Sequence, residues 1–533
     1  MKRLVNTLIL AGLGCQAANC QNSSTVYGFD NIKPSANLTW TPCFDDLTCS
    51  KLQVPLDYSN TSIGTTSIAF LKLPGKNATA ESQSIVLIPG GPGGSGVDLL
   101  LSLRSVIGTV LGEQYNFVSF DPRGVNNSGP SLDCFSGDAE ARAAFTRLHV
   151  TGTTNVSTPS LAEQYYSASI FGEWCNAAVE NGSPHGYYVT TPAVAQDILT
   201  FIEAEAEVSD KKPSDAQLWA YGGSYGTIIG TTFASMFPDR VGRLVLDGIM
   251  NAEQYYSNDW RDSVDQMDAT MAQFSSLCHS AGPDACSFWG PTPANITARL
   301  DAIIAQLQNH PVVLSGAESR DVPALVTYSD LKALFINAVY TPIALFPGMA
   351  DILHQFEGGN ASALAGLFDN GLAIPSDAGT VIRCADSYTR NKLVSFEEWR
   401  DFVEFSVSES KYLGDIWPIF VETILCTAAR PELPDSLVVQ DPNIGLDKPT
   451  SFPILFTSNT IDPLTPLKSA RLMNSRFPGS VLLLQEGVGH TVVYQGGSNC
   501  YFEHVQAYLQ GVVPPSNTTC AQQFIPFIDS PVI

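Results

Sequence analysis

Residues 218–226 read Leu218-Trp219-Ala220-Tyr221-Gly222-Gly223-Ser224-Tyr225-Gly226, a short apolar run that ends in a serine flanked by glycines. The apolar run predicts a buried strand, and Thr227–Met236 after it is compatible with a helix. Glycines on both sides allow a strand-to-helix turn so sharp that the serine occupies a strained backbone conformation. The pattern therefore predicts that Ser224 is a nucleophile at the carboxyl end of a strand.

Short apolar runs also occur on both sides of this stretch. Including the one before Ser224, the runs are Ser84–Ile88, Phe117–Phe120, Gln217–Tyr221, Leu244–Leu246, Ile454–Thr457 and Val481–Leu484. Each run is continuous rather than alternating, as expected of strands that are buried on both faces. Helical stretches separate the earlier runs, which is typical of an α/β protein with a mostly parallel central sheet flanked by helices.

About two hundred residues between the fourth and fifth runs have a different character. Helical periodicity extends over Arg261–Leu277, Ile296–Leu307 and Phe396–Val407, with Gly- and Pro-rich breaks between them. We interpret this region as a large, mainly helical cap inserted into the core. The predicted units are core residues 40–249, cap residues 250–450 and core residues 451–533. The alternative is an independent C-terminal domain starting near 250, which would leave the later strands without a sheet.

His490 and Asp462 are the predicted partners of Ser224. His490 follows the last apolar run, and Asp462 follows the run before it. A serine hydroxyl needs a positioned base, and an acid must accept the imidazole N–H and stabilise the imidazolium. The order serine, acid, histidine along the chain is that of the α/β-hydrolase fold. Asp247, which follows the fourth apolar run, is the alternative acid.

A glycine-rich loop follows the first apolar run and reads Pro89-Gly90-Gly91-Pro92-Gly93-Gly94-Ser95-Gly96. In this fold, such a loop can supply a backbone N–H group to an oxyanion, and the helix after the nucleophile supplies a second one. We predict an oxyanion hole formed by the N–H groups of Gly91 and Tyr225. A phosphate-binding loop is disfavoured because no Gly-Lys-Ser/Thr follows, and no G-x-G-x-x-G opens a helix here with a later acidic partner.

The second apolar run ends in Asp121-Pro122-Arg123-Gly124. This segment is another turn at the end of a strand, and it carries two side chains of opposite charge. We interpret it as structural, with a contact between Asp121 and Arg123, rather than as part of the catalytic apparatus.

Together these motifs resemble the secreted tripeptidyl aminopeptidases, which are relatives of proline iminopeptidase. Further matches are Trp40-x-x-Cys43 with Cys49, Val54-Pro55-Leu56-Asp57-Tyr58 and Cys384-Ala385-Asp386. The resemblance implies a hydrolase core, a helical cap, and release of single residues or short peptides from a free amino terminus. In related enzymes, carboxylates of the cap bind the α-ammonium group of the substrate. Candidates here are Glu253, Asp259, Asp262 and Asp265.

The chain departs from this family in two places. Pro89 stands where proline iminopeptidases carry a histidine before the glycine loop, and Thr427-Ala428-Ala429 lacks a tryptophan expected shortly after Cys426. Neither change affects the predicted Ser224, Asp462 and His490, but both leave the substrate preference open.

The N-terminus has the composition of a signal peptide, which we assign to residues 1–18. Lys2 and Arg3 precede the apolar run Leu4–Gly14, and small residues follow near a cleavage point after Ala17 or Ala18. The run is too short to span a bilayer, so we expect a secreted protein without a membrane anchor. The net charge of −24 argues against nucleic-acid binding, because phosphate backbones are repelled by an acidic surface.

Asn-x-Ser/Thr triplets and cysteines also indicate an extracellular protein. The triplets begin at Asn22, Asn37, Asn60, Asn77, Asn126, Asn155, Asn181, Asn295, Asn360 and Asn517, and predict N-linked glycans. Near pairs of cysteines suggest the disulfides Cys43–Cys49, Cys278–Cys286 and Cys500–Cys520, which Cys134–Cys175 and Cys384–Cys426 would complete to five. Cys20 is left without an assignment. No C-x-x-C pair is present, so we predict no metal site.

The sequence thus predicts a secreted serine hydrolase that needs no cofactor and acts on a peptide or small acyl substrate. An exopeptidase is the preferred function. An esterase or a small-molecule hydrolase of a biosynthetic pathway is the alternative, because this fold serves many acyl substrates. A non-catalytic binding protein is disfavoured, since Ser224 and His490 are both present. Residue preference, length of the released peptide and oligomeric state stay open.

Overall fold

A single mixed sheet forms the centre of the molecule in a computed structural model that describes residues 25–154, 158–315, 323–371 and 377–529. The predicted signal peptide and Cys20 lie outside the described residues. The strands of the sheet are β1 (Thr41–Cys43), β2 (Leu47–Pro55), β3 (Thr65–Leu73), β4 (Ser84–Ile88), β5 (Asn116–Phe120), β6 (Leu218–Gly223) and β7 (Val241–Asp247), followed after a long insertion by β10 (Leu455–Ile461), β11 (Val481–Val488) and β12 (Thr519–Cys520). Their spatial order is β1-β2-β3-β5-β4-β6-β7-β10-β11-β12.

Every strand pair from β5 across to β12 is parallel, so the predicted fold class is confirmed. Each of the six predicted apolar runs contributes to one of these strands. Strands β1 to β3 form an antiparallel edge that joins the sheet at β5 and was not predicted. Polar residues interrupt β2 and β3, for example Lys51, Gln53 and Thr65, so these strands lack the continuous apolar pattern of the central ones.

Helices cover both faces of the sheet, and β4 shows the two faces directly. Ile85 and Leu87 of β4 belong to one buried cluster, whereas Val86 and Ile88 belong to the other, as the alternation of side chains along a strand requires. The first cluster is completed by α1 (Gly96–Leu103), α2 (Ile107–Leu111) and α17 (Asn499–Leu509). The second is completed in the core by α5 (Thr191–Val208), α6 (Tyr225–Met236) and α16 (Leu467–Arg476).

The cap is an insertion between β7 and β10, as predicted. Residue Leu455 of β10 pairs with Val245 of β7, so the chain returns to the sheet that it left. The inserted helices are α7 (Ala252–Tyr256), α8 (Met267–Ala281), α9 (Pro293–Asn309), α10 (Tyr328–Tyr340), α11 (Pro342–Glu357), α12 (Leu367–Gly371), α13 (Asp377–Ser387), α14 (Phe396–Glu409) and α15 (Trp417–Val421). A small antiparallel hairpin, β8 (Val312–Leu314) with β9 (Ala324–Val326), also occurs there and was not predicted.

Two helices that precede Ser224 also pack against the cap. They are α3 (Ala139–His149) and α4 (Thr158–Asn181). Arg142 of α3 donates to Asp377 Oδ1 at 2.6 Å, and Asn176 of α4 donates to the carbonyl of Ala428 at 2.9 Å. No helix in the described ranges is both long enough and apolar enough to cross a membrane.

The five predicted disulfide pairings are all confirmed within the described residues. Cys134–Cys175 joins the segment before α3 to α4, and Cys384–Cys426 joins α13 to the segment after α15. The cap and its neighbouring helices are therefore covalently braced.

Arg123 forms a buried ion pair with Asp197, not with Asp121, so the predicted contact within the Asp121–Gly124 turn is wrong. Arg123 Nε and Nη2 each donate to the Asp197 carboxylate at 2.7 Å. Its other donors reach the carbonyls of Pro55 and Leu56, also at 2.7 Å. Asp121 instead accepts from Ser95 Oγ at 2.5 Å and from the Val97 N–H group at 3.1 Å. A five-donor guanidinium needs several acceptors when it is buried, and one short turn cannot supply them.

We expect Asp197→Asn to lower the free energy of unfolding by about 3–5 kcal/mol, because it leaves a buried guanidinium without its counter-charge. Chemical denaturation followed by circular dichroism measures this loss. Glu203→Gln is the matched control, since the Arg240–Glu203 ion pair is partly exposed and contributes at most about 1 kcal/mol. Equal small losses in both variants would contradict the structural importance of the Arg123–Asp197 pair.

Candidate active site

Ser224 lies in a strained turn between β6 and α6. Its φ and ψ are 55° and −124°, a conformation that residues with a side chain rarely adopt. Its N–H group donates to the Asp247 carbonyl at 2.9 Å. A Cβ atom on Gly226 would lie 2.5 Å from the carbonyl oxygen of Ile88, and one on Gly222 would lie 2.8 Å from that of Gly226. The flanking glycines are thus required by close backbone packing, as the sequence pattern suggests.

Asp462 and His490 are in hydrogen-bond contact and almost fully buried. The Nδ1 atom of His490 is 3.1 Å from Asp462 Oδ1 and 3.2 Å from Oδ2. The carboxylate also accepts the N–H groups of Leu464, Thr465 and Thr491 at 2.9–3.0 Å. Burial alone would raise the pKa of Asp462, but the interaction with His490 and these N–H groups together lower it. The acid is therefore held ionised beside the imidazole.

Thr465 is a member of this group to which the sequence analysis gives no role. Its hydroxyl donates to Asp462 Oδ2 at 2.9 Å and lies 3.2 Å from His490 Nδ1. It therefore adds a side-chain donor to the backbone donors that hold the carboxylate. The motif Asp462-Pro463-Leu464-Thr465 contains it, but a threonine in a loop has no pattern that distinguishes this contact.

Asp247, the alternative acid, does not contact His490 in the described structure. Its carboxylate accepts the N–H groups of Val492 at 2.9 Å and Val493 at 3.2 Å, and the Tyr221 hydroxyl at 2.6 Å. Burial raises its pKa, and these donors oppose the rise. Asp247 thus supports the backbone of the loop that carries His490.

The predicted oxyanion donors lie on both sides of Ser224. Tyr225 is the first residue of α6, where N–H groups have no acceptor within the helix. Gly90 and Gly91 line the same cavity as Ser224, and a Cβ atom on Gly90 would lie 3.2 Å from Ser224 Cβ. The lack of a side chain at Gly90 therefore allows the glycine loop to pack closely against Ser224.

The side chain of Tyr225 is tied to the cap through a buried network. Its hydroxyl lies 2.8 Å from Thr191 Oγ1, which donates to Asp386 Oδ2 at 2.6 Å. The Thr191 N–H group and the Tyr255 hydroxyl donate to the same carboxylate, each at 2.8 Å. Burial raises the pKa of Asp386 to about 6, although these donors lower it. The motif Cys384-Ala385-Asp386 thus connects α13 to the residue after the serine.

Ser224 and His490 line the same cavity, which has a volume of about 320 Å³. Besides the glycine loop, its walls come from β4, α1, α2 and residues 491–494 of the core. The cap contributes Tyr340 and Thr341. The backbone carbonyl of Tyr340 accepts the backbone N–H group of His490 at 3.0 Å. The Tyr340 ring meets the imidazole ring of His490 edge to face, with 5.3 Å between the ring centroids. The histidine is therefore held by both the core and the cap.

Two family models match the chain at the segments that carry these residues. The model of the alpha/beta hydrolase fold matches residues 83–278, which include the glycine loop and Ser224. A model of TAP-like proteins matches residues 424–520, which include Asp462 and His490. The chain thus has the α/β-hydrolase fold. The resemblance drawn from the motifs is thereby confirmed.

Relatives of this α/β-hydrolase align over nearly its whole length. Serine protease Hip1 of Mycobacterium tuberculosis is 28% identical, with 90% of both chains covered. Tripeptidyl aminopeptidase of Streptomyces coelicolor is 24% identical, covering 92% of this chain and 87% of its own. Carboxylesterase B of Mycobacterium tuberculosis is 25% identical, covering 89% of this chain and 86% of its own. The protein is thus a serine hydrolase whose relatives bear both peptidase and esterase names.

The four cap carboxylates singled out in the sequence are engaged elsewhere. Glu253 pairs with Arg476 at 3.1 Å, and Asp259 pairs with Arg261 and Lys392. Asp262 and Asp265 both pair with Lys468 at 3.1 Å. None of these four described side chains lines the cavity that contains Ser224. Their closeness to β7 in the sequence therefore does not place these side chains in the cavity of Ser224.

A different cap carboxylate, Glu422, is buried without a full set of partners. Its Oε2 atom has no hydrogen-bond partner among the described residues, and its side chain is 4% exposed. Burial raises its pKa to about 8, while the nearby Arg383 opposes the rise. Glu422 follows a short helix whose Phe420 ring lies 6.0 Å from the ring of Tyr340, a residue of the cavity wall. Sequence patterns do not identify Glu422, because this residue lies in a left-handed turn between two short helical segments and is not part of a periodic hydrophobic pattern.

Arg383 connects Glu422 to the serine side of the cap. Gly379, Arg383 and Asp386 share one face of α13, since they are spaced by four and three residues. A Cβ atom on Gly379 would lie 2.5 Å from the Pro92 carbonyl, and Asp386 joins the Tyr225 network. Arg383 donates to the Val421 carbonyl at 2.5 Å, next to Glu422. Arg383 thus links the face of α13 that meets the glycine loop to the segment that carries Glu422, although neither Arg383 nor Glu422 itself lines the cavity that contains Ser224.

One compact group in the described ranges has the composition of a metal site, namely Cys500, His504 and Cys520. Its two cysteines are bonded to each other, so their sulfur atoms are not thiolate ligands. The group does not fit a metal ion in this state.

We expect Asp462→Asn to lower kcat by about ten-thousand-fold, because an amide cannot hold the imidazole in the required tautomer or stabilise the imidazolium. Asp247→Asn should retain at least a hundredfold more activity than Asp462→Asn, since its carboxylate is bonded to backbone N–H groups and Tyr221 and does not contact His490 in the described structure. Hydrolysis of a short-chain reporter ester measures both. A greater loss in Asp247→Asn, with its melting temperature preserved, would make Asp247 the acid.

Proposed function

We propose that this serine hydrolase is a secreted exopeptidase that releases residues or short peptides from substrates with a free amino terminus. Ser224 is its nucleophile, His490 its general base and Asp462 the acid that orients His490. The N–H groups of Gly91 and Tyr225 form the oxyanion hole. No step of this chemistry requires a metal or an organic cofactor.

In the proposed reaction, Ser224 Oγ attacks the scissile carbonyl while His490 takes the hydroxyl proton. Asp462 stabilises the imidazolium that forms, with Thr465 and the backbone donors keeping the carboxylate in place. The two N–H donors then hold the tetrahedral oxyanion. His490 gives its proton to the leaving amine, and water releases the acyl group from Ser224 by the reverse sequence.

The observation that carries the exopeptidase assignment is the unpaired carboxylate of Glu422 in the cap. Leaving a buried carboxylate oxygen without a donor is unfavourable, so such an oxygen is a natural acceptor for a ligand. An α-ammonium group supplies three donors and the opposite charge. Its arrival would stabilise the ionised form of Glu422, whose pKa burial raises. An endopeptidase or a simple esterase does not need a carboxylate that binds a free α-ammonium group.

The names of the relatives support this proposal and also supply the second candidate. Hip1 and tripeptidyl aminopeptidase are named as peptidases, and tripeptidyl aminopeptidase acts on peptides by its name. Carboxylesterase B favours an esterase instead, and the apolar wall of the cavity is compatible with that alternative. The reaction at Ser224 is the same in both cases; what differs is whether the substrate needs an amino group.

Secretion is supported by the disulfides and by the position of the glycosylation triplets. Five disulfide bonds among the described residues are typical of an oxidising compartment. Asn22 and Asn155 lie outside the described residues. The other triplet asparagines are all exposed, namely Asn37, Asn60, Asn77, Asn126, Asn181, Asn295, Asn360 and Asn517. A surface position is what the attachment of an N-linked glycan requires.

We expect the enzyme to cleave aminoacyl and tripeptidyl reporter amides with a free amino terminus and to leave the acetylated forms intact.

Glu422→Gln should raise KM for the free peptides about tenfold or more, because the charge opposite the ammonium is lost, while ester hydrolysis changes little. Glu253→Gln is the matched control, since Glu253 is a cap carboxylate that faces Arg476. Ser224→Ala should abolish turnover of every substrate. Equal cleavage of free and acetylated peptides would exclude the exopeptidase, and cleavage of esters alone would make the protein an esterase.

The thermal stability of the protein should depend on pH through Glu422. Burial raises its pKa from the ordinary 4.5 to about 8 in the folded protein, so the folded state binds the proton more tightly than the unfolded state. The resulting stabilisation is complete below pH 4.5 and is lost as the pH rises towards 8. Glu422→Gln should therefore show a smaller fall in melting temperature between pH 5 and pH 8 than the wild type. Parallel curves for the two proteins would mean that Glu422 is not held neutral.

A further inference from the structure

One end of the active-site cavity is lined by hydrocarbon side chains. We call this end the apolar lobe, and it is formed by Leu87 of β4, Leu99 and Leu103 of α1, and Ile107 and Val110 of α2. All five residues belong to the core rather than to the cap. The lobe belongs to the same cavity as Ser224 and His490, so a group held there is part of the molecule that is being cleaved.

Two polar groups in the cavity wall, the Tyr221 hydroxyl and the Asp247 carboxylate, are already paired. The Tyr221 hydroxyl donates to Asp247 Oδ2 at 2.6 Å and lies 3.1 Å from the Tyr501 hydroxyl. Asp247 in turn accepts the N–H groups of Val492 and Val493. A polar substituent in the lobe would therefore find few free partners and would lose its water. Hydrocarbon is the chemistry that such a surface accommodates best.

The walls of the apolar lobe are held by packing that does not involve the cap. Val97 and Leu100 of α1 lie in the buried cluster between α1, α2, α17 and the sheet. Gln506 of α17 donates to the carbonyls of Thr109 and Val110 at 2.8 and 3.3 Å, which fixes α2. The lobe is therefore preformed, and a group that enters it does not have to order its walls first.

The volume sets the size of the group. An apolar cavity of about 150 Å³ accepts benzene. The whole cavity here is about 320 Å³, part of which is the space above Ser224. The lobe then fits a hydrocarbon group on the order of six to ten carbons, or a large apolar amino-acid side chain.

We infer that the apolar lobe is a specificity site for a medium-length hydrocarbon group of the substrate, next to the bond that Ser224 cleaves. The inference rests on Ser224 as the nucleophile of the proposed function, but not on the exopeptidase assignment. Each further CH2 group buried in the lobe should raise kcat/KM about threefold to fourfold until the lobe is full.

The test measures kcat/KM for two series of esters. In the first series, 4-nitrophenyl esters carry acyl chains of about two to twelve carbons; in the second, acetate is esterified with alcohols of the same lengths. A rise that peaks between about six and ten carbons in one series supports the lobe and tells whether it holds the acyl or the leaving group. Values that fall or stay flat beyond two carbons in both series would overturn it.

Val110→Phe fills the lobe and should lower the ratio of kcat/KM for long-chain esters to kcat/KM for acetate esters by at least tenfold. Ile107→Ala enlarges the lobe and should move the optimum to longer chains; it also serves if Val110→Phe does not fold. Val208→Phe is the matched control, because Val208 is 57% exposed on α5, on the other face of the sheet. An unchanged chain-length ratio in both lobe variants would exclude the proposed site.

A binding measurement separates this inference from the proposed function. In Ser224→Ala, which has no turnover, octanamide should bind more tightly than butanamide by about tenfold or more, and Val110→Phe should remove the difference. Calorimetric titration measures both affinities. Chain-length selectivity without cleavage of free peptides would leave the lobe standing and exclude the exopeptidase. Equal affinities for the two amides would exclude the lobe whatever the peptide results are.

Discussion

Close packing of backbone at the carboxyl end of β6 is the constraint on which the site depends. Ser224 adopts a positive φ there, and such a conformation persists only where the surroundings enforce it. The enforcement comes from β4 and β7, which pair with β6 on its two sides, and from Gly226, which lies against the Ile88 carbonyl. The same arrangement brings the glycine loop after β4 to the serine. The position of the nucleophile is thus a property of the whole central sheet.

The cap is joined to this arrangement by polar contacts as well as by packing. Asp386 of α13 is connected to Tyr225 by hydrogen bonds through the Thr191 hydroxyl. The backbone carbonyl of Tyr340 accepts the backbone N–H group of His490. Gly379 lies against the glycine loop on the same face of α13. The cap therefore touches the elements around Ser224, His490 and the glycine loop. It takes part in shaping the candidate active site in addition to covering it.

The central strands, the Asp462–His490 contact and the shared cavity of Ser224 and His490 were predictable from the sequence, because they follow from a few strong local signals. Buried parallel strands are continuous apolar runs, and the site residues follow directly at their carboxyl ends. The antiparallel edge β1–β3 was not recognised, since polar residues such as Lys51 interrupt those strands. The five disulfides were predictable as pairs because most partners are near neighbours in the chain.

The contacts that were missed join residues far apart in sequence and have no periodicity. Arg123 pairs with Asp197 rather than with the nearby Asp121. The cap carboxylate that we propose for the substrate amino group is Glu422, which has an unpartnered oxygen among the described residues, rather than one of the four acidic residues nearest to β7. Thr465 gains its role only from its distance to two other side chains. The long-range contacts are decided by the packing of whole helices, which local sequence patterns do not encode.

The contact between the Tyr340 carbonyl and the His490 backbone limits how this enzyme can be redesigned. Removing or exchanging the whole cap to admit larger substrates would also remove a hydrogen bond that holds the histidine loop, together with the ring that packs against the imidazole. A graft that keeps residues 340–341 and varies α8, α9 and the hairpin retains that support. The cap can thus be divided into a part that evolution or engineering may change freely and a part that must travel with the catalytic histidine.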